Sequence, residues 1–570
     1  MDNDRESFIA FTERDDFDKD QKLNSDFYPD PKYGYSLLEI CCYHGSVDCF
    51  KLLITKFKSE ITKTCLQFSF LSGNADIMSE CLKAVQPDKE CMEYAIISHN
   101  IDFVTFLRNE HRIIIDMDSC YMYHNLQALL VLLDQIDDVN VCFILSVSFN
   151  IPSFSQYFLS HGADIKYKDN GGKTALHLAV RSNYKEMTEY LISSGLDVNL
   201  KDNKGLTPIF YASSSNAKEA AKVLISHGAN IKAKDSKGSF PLHIAAGFNC
   251  TETADLLISY GMDVNAKNKK GRTPLHFSIL QECKETAELL IADGAYIEAQ
   301  DDAGFSPLLL AIGKNKKDFV EFLISHGANV NIRNTLSGVT SLHCAAYFNR
   351  KEIAEYLLSH GANIKSLDNS GMNVLHHAAM KNCTETAEFF ISRGAELNAR
   401  NEDGKTALHI AAENNSKEIA ELFISHGIYT ITRDKDGKIA LHSAAENKSK
   451  ELIELLILHG VDVNSNDKNG FTALHYAAMK NAFEIAELLM SNGADVNSKD
   501  IEGETALHIV AMQNSAETIE LLISHGANTN EKDNKGETAL YYATKKHNKE
   551  AAEILILHGA EATNAEKCAL

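Results

Sequence analysis

Residues Asn401–Gly427 read NEDGKTALHIAAENNSKEIAELFISHG. The stretch opens on a turn, Asn401 to Gly404, in which glycine permits a positive φ. A short helix pattern begins at Thr406, whose hydroxyl is placed to cap it. Leu408, Ala411 and Ala412 lie at i, i+3 and i+4 on one face. The small alanines let two helices approach near the lower end of the ~8–10 Å packing range. Asn415 breaks the pattern where a left-handed residue is needed, a conformation asparagine adopts more readily than most residues. A second helix pattern runs to His426, with Ile419, Leu422 and Phe423 as its buried stripe. Glu418 sits beside the positive helix end, and Gly427 ends the helix in the left-handed region.

The phrase recurs. Its T-x-L-H slot begins at Thr174, Thr207, Phe240, Thr273, Ser306, Thr340, Asn373, Thr406, Ile439, Thr472, Thr505 and Thr538. Every step is 33 residues except Ser306 to Thr340, which is 34. Nine of the twelve units place Asn at the break between helices, from Asn183 to Asn514, and all twelve end on Gly, from Gly195 to Gly559. A unit that cannot bury its own apolar face must stack on copies of itself, so the period predicts an all-α solenoid of helix pairs. After Gly427 the usual Ala-Asp/Asn-Val-Asn becomes Ile428-Tyr-Thr-Ile431. That seam is where the array is expected to be most distorted or most easily opened.

Upstream the pattern weakens. Residues 1–30 hold ten acidic and four basic side chains with no apolar period, the composition of a disordered acidic tail. Residues 31–165 read as closely spaced helix pairs. Examples are Tyr35–Gly45 followed by Val47–Leu53, and weaker echoes around Gly73-Asn74 and His99-Asn100. This block is expected to cap the first end of the array, and residues 166–570 to hold the twelve repeats.

Thr406-Ala-Leu-His-Ile-Ala-Ala412, the Leu-Phe-Ile-Ser-His-Gly427 helix end and Gly526-Ala-Asn-Thr-Asn530 resemble the ankyrin repeat. The match spans about 400 residues, and period and phrase agree across it. The resemblance implies a curved solenoid in which each helix pair carries a hairpin-like finger, with partners docking on the finger and first-helix face. It also implies that the slot histidine hydrogen-bonds within and between units. Residues 31–165 resemble the degenerate ankyrin-type N-terminal domain of large protist ankyrin families.

The chemistry of the chain points away from catalysis. Histidines repeating every 33 residues form a row, whereas a metal site needs convergence on one point. There is no H-E-x-x-H, P-loop, G-x-S-x-G or G-x-G-x-x-G, and the carboxylates are periodic. No catalytic, cofactor or metal residue is therefore expected. The formal net charge is −22, which disfavours nucleic acid and acidic membranes. No run reaches the ~18 apolar residues that span a bilayer. None of the thirteen cysteines forms C-x-x-C, as suits buried thiols in a reducing compartment. A cytoplasmic location is expected, with the nucleus left open.

Specificity is then expected in departures from the frame. The residue before the slot is apolar in three successive units, Phe305, Val339 and Met372, and the first-helix ends add Tyr347, Phe348 and Met380. These six form a candidate protein-binding patch, with packing between fingers as the competing reading. A basic tip at Lys269, Lys270 and Arg272 contrasts with acidic tips at Glu402-Asp403 and Glu502/Glu504, a charge variation able to orient an elongated partner. The function expected is a non-enzymatic scaffold or adaptor for unidentified protein partners. The alternative is a substrate-recruiting accessory subunit of an enzyme complex acting through the N-terminal block.

Overall fold

Each repeat folds as a seven- or eight-residue inner helix and a nine-residue outer helix, because Asn or a substitute turns the chain sharply between two apolar faces. The exception is the six-residue Val374–Ala379. The computed structural model describes residues 4–14, 17–25, 27–29, 34–513 and 515–562. It comprises two compact units, Met1–Ser236 and Lys237–Leu570.

The first unit begins with α1 (Arg5–Thr12), β1 (Lys22–Leu23) and β2 (Tyr35–Ser36). Five helix pairs follow: α2 (Leu37–His44) with α3 (Val47–Thr55), α4 (Lys63–Ser72) with α5 (Ala75–Ala84), α6 (Lys89–Ile97) with α7 (Ile101–His111), α8 (Met117–Met122) with α9 (Leu126–Leu133), and α10 (Val139–Val147) with α11 (Pro152–Ser160). The regular repeats start at α12 (Ala175–Arg181) and α13 (Lys185–Ser193), and α14 (Pro208–Ser215) and α15 (Lys218–Ser226) complete the unit. The 165/166 boundary falls inside it, because α10 packs on α12 and α11 on α13.

The expectation of a disordered tail over 1–30 is corrected for its described residues. Asp4 caps α1 by accepting from the backbone of Glu6 and Ser7. Phe8 is buried, Phe11 and Phe17 pack on the same core, and the Phe17 ring lies 5.0 Å from that of Phe57. β1 pairs antiparallel with β2. The acidic count obscured three phenylalanines whose burial offsets the ordering entropy.

In the second unit, helices run in pairs from Pro241–Gly247 and Thr251–Ser259 to Ala539–Lys545 and Lys549–Leu557. Four recurring sets of hydrogen bonds tie repeats to their neighbours.

The first uses the slot histidine. His409 Nδ1 accepts from the Thr406 backbone N–H at 3.2 Å, and Nε2 lies 3.1 Å from the carbonyl of Lys438 in the next finger. A carbonyl only accepts, so the proton sits on Nε2 and the ring is neutral. The arrangement recurs at His276 and His376. The ring thus serves the backbone N–H of the capping residue itself, and the Thr406 hydroxyl lies 2.9 Å from the same Nδ1. Ser306 and Thr538, whose units lack the histidine, accept directly from Leu309 and Tyr541. Thr207, with Phe210 in the histidine place, keeps a buried hydroxyl that has no hydrogen-bond partner among the described residues.

The second set uses the break residue. Asn349 has φ 55°, and its side-chain oxygen accepts from the backbone N–H of Thr386 at 3.2 Å, one repeat later. Asn249 does the same for Thr286, and Asn382 for Ile419. These outer helices have no side-chain cap of their own, so the preceding repeat supplies it. Glycine would give the turn but not this bond, which is why asparagine stands there. Asn514 lies outside the described residues. In the N-terminal block Asn74 and Asn100 instead cap their own helices, and Gly73 and His99 take the left-handed turn.

The third set joins finger tips through the backbone, as in Lys435 N–H to Asp403 O at 2.8 Å. A side chain on Gly404 (φ 77°) would place its Cβ 3.1 Å from that same Lys435 nitrogen, so the close approach requires glycine. Isolated antiparallel bridges such as Arg333 with Thr340 close some fingers.

The fourth set is an asparagine staple. Asn464 donates to Gly493 O and accepts from Asp495 N–H, and Asn497 and Asn530 repeat the pattern. Ile431 occupies this place and has no amide. The seam at Ile428–Ile439 is nonetheless regular: Ile439 is buried and its N–H reaches His442 Nδ1 at 3.0 Å. The helix start is thus kept, but the staple is missing and His442 Nε2 reaches the carbonyl of Ser465 instead of the residue before the next slot.

Asn349→Gly keeps the turn and loses the cross-repeat cap. Opening of the helix at Thr384–Ser392 should become easier by about 1 kcal/mol, a roughly fivefold loss of hydrogen-exchange protection in its first turn. Asn349→Ala should cost about 1–2 kcal/mol more, through the left-handed conformation. Unchanged protection in the glycine variant would show that the bond contributes nothing. Ile431→Asn should restore the staple and raise protection at Gly460–Asp462 about fivefold; no gain would leave the seam unexplained by it.

Burial pushes the rings of His276 and His376 down to about 4 and that of His343 to about 3. It also lowers His409, His442, His475 and His508. The folded chain thus binds fewer protons than the unfolded one, whose histidines titrate near 6.5. Stability is full above that pH and is lost as pH falls from about 6.5 towards about 4. The slope should approach about 1.4 kcal/mol per pH unit for each buried ring in the cooperatively unfolding segment. Urea unfolding of the full chain between pH 7.5 and 4.5 measures this, and a flat profile would contradict it.

Candidate protein-binding surface

The finger ends and first-helix ends of the second unit hold the candidate residues. Phe305, Val339 and Met372 occupy one register in successive repeats, immediately before the slot. Each has its backbone committed. Phe305 N–H donates to Asp301 Oδ1 and its carbonyl faces His276 Nε2. Val339 O accepts from Asn334 N–H, and Met372 N–H donates to Asp368 Oδ1. Their side chains are half-buried, so they are anchored at the base and open at the tip.

Tyr347 and Phe348 end the inner helix Ser341–Tyr347, with ring centroids 5.0 Å apart. Lys381 lies over the Tyr347 ring at 5.4 Å. Phe348 is 38% exposed, and the rest of its ring packs back on the previous repeat, where a Cβ on Gly313 would come within 3.4 Å of it. Met380 follows the helix Val374–Ala379 and is half-buried. The structure thus brings Tyr347 and Phe348 into contact and sets Phe305, Val339 and Met372 in a row one repeat apart.

The finger before Thr340 carries the extra residue of the 34-residue unit. Asn334 Oδ1 accepts from Leu336 and Ser337, which closes the longer loop and leaves Leu336 67% exposed. Beneath it, His377 Nε2 lies 2.9 Å from Asp368 Oδ2, and the His377 and His343 rings are 4.8 Å apart. Burial opposes ionisation of Asp368, but His377 and the N–H groups of Met372 and Ser370 outweigh it and hold the carboxyl below its ordinary range. His343 Nε2 has no hydrogen-bond partner among the described residues. The sequence reading missed this group. The signal was present as His376-His377, where the second histidine occupies the place that holds Tyr211, Tyr476 and Tyr542 in other repeats. Those tyrosines likewise donate to the finger aspartates Asp202, Asp467 and Asp533.

The charge contrast along the tips is smaller than expected. Arg272 is paired with the buried Asp301 at 3.1 Å, so it is no free cation, and Glu504 accepts from Tyr542. Lys269 and Lys270, and Glu402, Asp403 and Glu502, remain exposed. Among the described residues no group of three or more His, Cys, Asp or Glu side chains could hold a metal ion. Twelve of the cysteines are buried free thiols. No helix among the described residues is long and apolar enough to cross a membrane.

The family model for ankyrin repeats (3 copies) matches residues 143–235, 230–301, 297–368, 362–434, 429–500 and 492–566. A domain of unknown function (DUF3447) matches residues 57–132. Among solved structures, the human ASB11 ankyrin repeat domain aligns at 24% identity with a TM-score of 0.36, covering 39% of this chain and 99% of that one. No curated protein matches the chain. With the repeat model covering most of its length, the chain belongs to the ankyrin-repeat family.

Proposed function

We propose that the protein is a non-enzymatic scaffold that holds protein partners on the finger and first-helix face of its second unit, centred on Phe305, Val339, Tyr347, Phe348, Met372 and Met380. Ankyrin arrays are interaction scaffolds, and here the framework residues are consumed by stacking. The observation that supports the location is the row Phe305, Val339 and Met372, three half-buried apolar side chains at one register beside a partly exposed aromatic pair. Such anchors supply affinity when a partner excludes water from them. The exposed Lys269 and Lys270, against Glu402, Asp403 and Glu502, add orientation through charge.

The double variant Phe305→Ala/Met372→Ala removes two anchors while leaving their backbone bonds intact. At about 1–2 kcal/mol each, the loss should weaken the complex roughly 10- to 1000-fold. Quantitative affinity capture from native lysate, wild type against variant, reads it. Equal recovery of every partner would place the binding face elsewhere.

A further inference from the structure

The outer helices of the regular repeats follow a charge rule that the N-terminal block relaxes to Ser79, Thr105 and Gln156, and that α9 alone replaces with an apolar residue. Their fifth residue is charged in all twelve regular repeats, from Glu189 to Glu553, and is acidic in all but Lys222. Their first residue is lysine in eight of the twelve. In α9 these two places hold Leu130 and Leu126. Leu130 is 47% exposed, so the substitution did not bury the side chain; it made an outward surface apolar.

The neighbouring outer helix, α11, is opened to match. Phe154 and Phe158 occupy the places of Ile419 and Phe423, which are fully buried in their repeat, yet both phenylalanines are only half-buried. Tyr157 beside them is 54% exposed. Between α9 and α11 lies a groove of about 640 Å³ lined by these leucines and aromatics, with Asp134 at its edge. Asp137 and Asp138 follow on the same loop. All three carboxylates are exposed and make no ion pair among the described residues. Within the first unit an apolar floor thus meets an acidic rim at Asp134, with Asp137 and Asp138 on the loop beyond it, where Asp138 also accepts from Asn140 N–H and Arg108 donates to Gln135.

We propose that this groove docks an amphipathic helix of a partner protein, with apolar residues at i, i+3 or i+4 and i+7 on the floor and lysine or arginine at the end facing Asp134, Asp137 and Asp138. The walls are helices of eight and nine residues, giving a trough about 12–13 Å long that takes two turns of helix. It offers no sheet edge for an extended strand. The rim selects a basic partner.

The test is selection of a displayed library of random 16-residue peptides on the full-length protein, with depletion on Leu130→Glu. Glutamate is the residue other outer helices carry at this place, so the variant is expected to fold, and circular dichroism and its melting profile check this. The result expected is enrichment of peptides with helical apolar spacing and basic flanks, whose affinity falls at least about tenfold on Leu130→Glu and also on Asp134→Lys/Asp137→Lys. Peptides that bind both forms equally, or Leu130-dependent peptides that are extended or acidic, would overturn the proposal. So would a concentration-dependent dimer that Leu130→Glu dissolves in sedimentation, since the occupant would then be a second copy. The finger variant Phe305→Ala/Met372→Ala should bind the selected peptides normally, which separates this surface from the one proposed above.

Discussion

The neutral imidazole between one repeat and the next is the constraint on which the array depends. Its Nδ1 takes the N–H at the start of its own inner helix, and its Nε2–H points to a carbonyl of the following finger, as at His409 with Thr406 and Lys438. Acceptance at Nδ1 requires the uncharged ring, and burial maintains it although the bond to the Lys438 carbonyl favours the charged form. A protonated ring would lose its acceptor and strand a charge in a dry interior. The stack thus holds its geometry through a group whose protonation state is itself set by the stack.

The other ties follow the same logic of satisfying a neighbour. The break asparagine turns its own chain at positive φ and caps an outer helix one repeat on, as Asn349 does for Thr386. The finger tips share backbone bonds, and the staple asparagines clip Gly and Asx backbone groups of the next unit. Because these bonds are nearest-neighbour, stability is divided among interfaces rather than held in one core. That frees individual repeats to depart from the frame at places the ties do not use, such as the residue before the slot.

Those departures concentrate in two places of different character. In the second unit they are apolar finger ends beside an extended loop, resting on the buried His343, His377 and Asp368 group. In the first unit they are leucines and aromatics on the outer helices α9 and α11, whose stripe is partly open. We propose both as surfaces for recognition. In neither does a nucleophile, base and oxyanion-type donor set converge among the described residues.

The period, the helix pairs and the left-handed positions were legible in the sequence, because a 33-residue phrase repeated twelve times allows few other ways to bury Leu408, Ala411 and Ile419. The row of Phe305, Val339 and Met372 was legible for the same reason: it is visible as a deviation from a known register. What the sequence did not disclose depends on contacts between repeats. Asparagine looked like a substitute for glycine until its side chain was seen to cap a helix 37 residues away. Threonine was legible as the capping residue, but not that its backbone N–H and hydroxyl both face the histidine ring. The N-terminal segment looked disordered because net charge is a local count, whereas the burial of Phe8 and the packing of Phe17 on Phe57 are decided by distant residues. Local pattern determined which elements form; only the tertiary structure decided which atoms satisfy them, since a hydrogen-bond partner one repeat away has no signature in the spacing of its own segment.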